Sequence, residues 1–105
     1  VKIIIMVFVT FLLVHTAYAA TGQDYDRVTT YATLIGRSVA CGQNIQYGSK
    51  RVGAWMDRTF FGKEKSAQIL VFTTAVQYAA EQQKAGNSPD TCRSVVKTYN
   101  KIDWP

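Results

Sequence analysis

Two cysteines and seven carboxylates are the side chains of this 105-residue chain best placed to do chemistry. Cys41 ends one segment of helical spacing, and Cys92 sits inside "GNSPDTCRSV", where another begins. A redox-active pair would show the C-x-x-C spacing that lowers a thiol's pKa at a helix start. These two cysteines are remote in sequence, and the pattern favours a structural Cys41–Cys92 disulfide. The single histidine, His15, lies in the first twenty residues. The rest of the chain therefore has no imidazole for a Ser-His or Cys-His nucleophile pair. It also has no nitrogen ligand for zinc, and two cysteines alone rarely make a metal site. No metal and no cofactor is expected. Among the carboxylates, Asp24, Asp26, Glu64 and Asp90 fall near expected helix starts, where capping and the helix dipole account for them. Asp57 and Glu81 fall on polar faces, and Asp103 lies in the tail. None is drawn into an apolar pocket by the pattern, so no catalytic residue and no enzyme is expected.

The opening "VKIIIMVFVTFLLVHTAYAA" pairs one basic residue, Lys2, with an apolar run from Ile3 to Val14. Ala17-Tyr18-Ala19 then has the A-x-A form that a signal peptidase accepts. This layout is that of a secretory signal peptide over residues 1–19. The run is shorter than the roughly 20 apolar residues a membrane-spanning helix needs. The membrane is therefore expected to matter only before cleavage. Residues 20–105 are enough for one domain and too few for two. Once Lys2 is set aside, they carry eleven Lys and Arg against seven Asp and Glu, a net charge of +4. The charges are scattered, with no like-charge run longer than Lys50-Arg51. Nucleic-acid binders concentrate basic residues in a stripe, so no nucleic-acid partner is expected.

Four segments show helical periodicity. The first spans about Asp24 to Ala40, with Val28, Tyr31, Ala32, Ile35 and Val39 on one stripe that Cys41 continues; Gly42 stops it. The second spans about Lys50 to Phe61, capped by Ser49 and closed by Gly62. Val52, Trp55, Met56 and Phe60 share its apolar face. The third, about Lys65 to Ala85, presents Ile69, Leu70, Phe72, Val76, Ala79 and Ala80 on a broad face that Ala75 and Tyr78 widen. Its "ILVF" is locally β-prone, but the length and the flanking helix formers favour helix. The fourth starts with Ser88 as N-cap, Pro89 at the first helical position and Asp90 in the first turn. Cys92, Val95, Val96 and Tyr99 form its stripe, with Ile102 one turn on and Trp104 folding back to cover the core. The expected fold is all-α, a small four-helix bundle stapled by one disulfide.

The most distinctive string is "KRVGAWMDRTFFGK". Its apolar stripe reads as core, and its other face as a recognition surface of Arg51, Arg58 and Phe61 beside Trp55. Arg and aromatic residues are over-represented in binding hot spots. The tyrosines at 25 and 47 extend that surface, while Tyr31, Tyr78 and Tyr99 look partly buried. The primary expectation is a non-enzymatic, exported bacterial protein of the periplasm, cell envelope or exterior. It would bind an exported or envelope protein as a secretion-system accessory, immunity or inhibitor subunit. The sequence leaves the oligomeric state open.

The general plan is also similar to that of the small periplasmic acid-stress chaperones: a signal peptide, a helical body and one long-range disulfide. The "VGAW" helix followed by "GKEKSAQI", and the late cysteine before a final helix, carry that resemblance. It implies a stress chaperone that binds unfolded clients in acid. This chain differs in having a whole helix before its first cysteine and no acidic stretch after Cys41, so no residue role is carried over. The two expectations differ in their response to acid. With no imidazole in residues 20–105 and few carboxylates, a stable adaptor keeps its near-UV circular dichroism down to about pH 5. A cooperative loss of that signal near about pH 6 would favour the chaperone.

Overall fold

The computed structural model describes residues 20–105, and the expected signal peptide lies outside them. The described residues form four helices and no strand: α1 (Gly22–Ala40), α2 (Gln46–Thr59), α3 (Gly62–Lys84) and α4 (Cys92–Lys101). The chain is an all-helical bundle closed by a Cys41–Cys92 disulfide, with Cα atoms 5.4 Å apart.

All four helix starts differ from the sequence expectation, and only α1 and α4 carry a side-chain N-cap; α3 starts at Gly62, the residue expected to close α2, rather than at Lys65. Helix α1 begins before Asp24 because Thr21 is its N-cap. The Asp24 amide donates to the Thr21 hydroxyl at 3.3 Å, and the Thr21 amide donates to the Asp24 carboxylate at 2.9 Å. This reciprocal pair satisfies two backbone donors that the helix itself leaves free. Helix α2 starts at Gln46, not at Lys50, so Ser49 lies inside it and is not its N-cap; Asn44, just before that start, accepts the Gln46 amide at 2.9 Å. Helix α4 starts at Cys92, with Thr91 accepting the Ser94 amide at 3.2 Å. Ser88 is therefore not its N-cap, and Pro89 and Asp90 lie outside it. Ser88 instead accepts the Asp90 amide in the preceding turn, and Asp90 reaches back to pair with Arg37 at 2.7 Å. At the end of α1, Gly42 takes the left-handed conformation (φ +78°), and the Gln43 amide closes onto the Ser38 carbonyl.

Helices α1 and α3 run parallel and pack along most of their lengths. Tyr25 and Glu64, at the start of each, are hydrogen-bonded, while Gly36 lies against Val76 and Ala79 further along both. The crossing is so close that a Cβ at Gly36 would stand 2.3 Å from the Val76 carbonyl oxygen. Any side chain there would push the two backbones apart. Helices α2 and α4 run the other way and pack on α1 from its far side. The core joins Val28, Tyr31 and Ile35 of α1 to Val52, Trp55 and Met56 of α2, with Phe60, Tyr99 and Trp104. Trp104 folds back as expected: its indole N–H donates to the Tyr99 carbonyl at 3.1 Å, and its ring packs on Tyr31 and Tyr99. Gly48 makes room for it, since a Cβ there would meet the indole at 2.9 Å.

Candidate functional site

The periodicity that puts Val52 and Met56 in the core also sets the outward face of α2. Tyr47, Arg51 and Arg58 recur at steps of four and seven, which places them on one side of the helix. Phe61 follows in the extended elbow before α3. All four are exposed, Tyr47 at 62% and Phe61 at 60%. The Arg51 guanidinium lies 6.0 Å from the Tyr47 ring centroid and donates to the Trp104 carbonyl at 3.2 Å. Arg51 is thereby held in place over an aromatic ring, with one edge still open to solvent. Lys50 adds a further positive charge beside it. The acidic residue nearest in sequence, Asp57, is engaged by Lys65 at 3.3 Å.

Trp55 does not belong to this surface. It is only 5% exposed and makes edge-on contacts with Tyr31 and Phe60. The Arg27 guanidinium sits 5.1 Å from its ring centroid on the remaining side. The sequence placed it beside the recognition residues, but its position relative to Val52 and Met56 turns it inward. Among the tyrosines, Tyr31 and Tyr99 are buried, whereas Tyr78 is 64% exposed. Tyr25 donates its hydroxyl proton to Glu64. That bond, then burial and the nearby carboxylates, hold the phenol above its ordinary pKa. A raised tyrosine pKa favours the fold below the unfolded value, about 10, and that support fades as pH rises beyond it.

The single broad face expected for α3 is split in the structure: Phe72, Val76 and Ala79 turn inward, whereas Ile69, Leu70 and Tyr78 are exposed. Leu70 is 66% exposed, and Ile69 and Val71 are exposed too. Leu70, Val71, Thr74, Ala75 and Tyr78 line a shallow groove there. A signal was present in the sequence: from Ala67 to Ala80 no residue is charged. Apolar residues on all sides of a helix imply burial on more than one side.

A cleft of about 570 Å³ lies between α1 and α4, with Leu34, Val95 and Ile102 among its apolar walls and Thr29, Thr30 and Thr98 among its polar ones. The Arg37–Asp90 pair closes one end. No cluster of three His, Cys, Asp or Glu side chains suited to a metal ion occurs among the described residues. None of their helices is long and apolar enough to cross a membrane. Compared with known protein families, with characterised proteins and with solved structures, the chain matches none of them.

Proposed function

We propose that the protein is a non-enzymatic, exported binding or accessory protein that engages an envelope or exported protein through the outer face of α2. The observation that carries this reading is the exposed set Tyr47, Arg51, Arg58 and Phe61, displayed on a helix whose other face is locked into the core. Aromatic and Arg side chains are enriched among the few residues that dominate interface energetics. Arg51 is already held by Tyr47 and the Trp104 carbonyl, so less of its freedom remains to be lost on binding. The cationic character of the face suits a partner with acidic side chains at the contact. The disulfide is consistent with an oxidising compartment, and the periplasm or cell envelope is the proposed setting.

The test is affinity capture from the native host's envelope fraction, followed by titration of the captured protein against variants. Phe61→Ala is expected to weaken binding by about thirtyfold, the effect of losing a hot-spot aromatic worth about 2 kcal/mol. Arg58→Glu is expected to slow association and to make binding less salt-sensitive. Far-UV circular dichroism should be unchanged in both, since both positions are exposed. A captured protein that binds both variants as tightly as the native chain would sink this reading.

A further inference from the structure

The outer stripe of α3 is exposed and carries large apolar side chains. On that side the residues Lys63, Ala67, Leu70, Thr74, Tyr78 and Glu81 recur at steps of four, three, four, four and three. This is the spacing of a helix–helix seam. All six are exposed. The inner side of the same helix, through Phe72, Val76 and Ala79, is the one that packs on the bundle. The seam thus lies opposite α1, and its uncharged middle is framed by a cation at one end and an anion at the other.

The placement of those two charges selects the occupant. Lys63 and Glu81 are 18 residues apart, which is about five full helical turns, so both point the same way. A second α3 laid parallel would set lysine against lysine and glutamate against glutamate. Laid antiparallel about a two-fold axis near the middle of the helix, each Lys63 comes within about one turn of the partner's Glu81 at both ends. Leu70 and Tyr78 of the two copies then interdigitate across the axis. Neither Lys63 nor Glu81 forms an ion pair with another described residue. A two-fold contact uses the same patch on both subunits and must be self-complementary, and this stripe is self-complementary in charge. We infer that the protein forms a symmetric homodimer through antiparallel pairing of α3. The contact is separate from the outer face of α2 and goes beyond the partner binding proposed above.

Sedimentation equilibrium over a concentration series, on the chain purified with its disulfide intact, tests this. A monomer–dimer equilibrium is expected. Leu70→Glu, at a position already exposed, should abolish the dimer while leaving the far-UV spectrum unchanged. Lys63→Glu and Glu81→Lys should each weaken it about tenfold, because each replaces two attractions with two repulsions. The double variant, or an equimolar mixture of the two single variants, should restore it. A chain that stays monomeric throughout overturns the inference, even if the stripe then proves to bind another protein or lipid vesicles. So does a dimer indifferent to Leu70→Glu. A dimer that Lys63→Glu leaves unchanged overturns the antiparallel arrangement and the inference with it.

Discussion

Replacing Cys41 and Cys92 with serine is expected to lower the free energy of unfolding by about 4 kcal/mol, the chain-entropy cost of releasing a loop of this length. The bridge spans a sequence separation of 51, so the oxidised unfolded chain is held far more compact than the reduced one. The remaining links between the same two ends are weak by comparison. Arg37–Asp90 and Gln43–Asn100 are exposed contacts, and an exposed ion pair contributes about 1 kcal/mol or less. A domain of this size has only about 5–15 kcal/mol of stability in total, so the loss would consume a large part of it. Urea denaturation of the native and double-serine proteins, without reductant, measures the difference. Thiol labelling of the unfolded native protein should detect no free cysteine. A difference under about 1 kcal/mol would mean that the reduced chain is already held together by its core alone.

Trp104→Ala should cost about 3–5 kcal/mol, as expected for truncating a buried tryptophan. The indole is only 5% exposed and packs on two tyrosines. It also fills the space that Gly48 leaves on α2. Its loss reaches further than its own contacts. The Gly48 amide donates to the Tyr99 hydroxyl at 2.8 Å, and the Trp104 ring shields that bond from water. Arg51 donates to the Trp104 backbone, which the substitution retains, so the outer face of α2 should lose order through packing rather than through that bond. Thermal unfolding gives the stability change, and hydrogen exchange at the Gly48 amide reports the local one. Trp104→Phe should recover part of the stability by refilling the cavity. Fast exchange at Gly48 with unchanged stability would contradict this account, and so would a loss of stability with Gly48 still protected.

Helix α1 and the disulfide were legible in the sequence because each rests on a local signal. Val28, Tyr31, Ala32 and Ile35 follow one stripe and are all buried, and two remote cysteines in one small domain leave only one intramolecular pairing. Val39 departs from that stripe and is exposed, since the bundle ends beside Gly42. The start of α4 was displaced because several residues in a row can cap a helix. Tertiary contacts choose among them: Asp90 is drawn to Arg37, which leaves the cap to Thr91. Trp55 was ambiguous because an amphipathic helix shows which residues share a face but not how wide the covered face is. The same limit hid the outer side of α3, where periodicity identified apolar residues correctly and could not count how many neighbours the helix has.

The parallel packing of α1 on α3 also bears on how the chain folds. Helix α1 finds its longest contact not with the helix that follows it but with the next one, and Gly36 meets Val76 only after α2 has doubled back. A bundle of adjacent hairpins folds quickly because its contacts are local, whereas this arrangement must close a long loop before its largest interface forms. Helix α1 lacks its longest contact until α3 is present, and α2 lacks Tyr99 and Trp104 until the end of the chain is in place. Folding should therefore be concerted over all four helices, with little structure held in a chain cut short before α3.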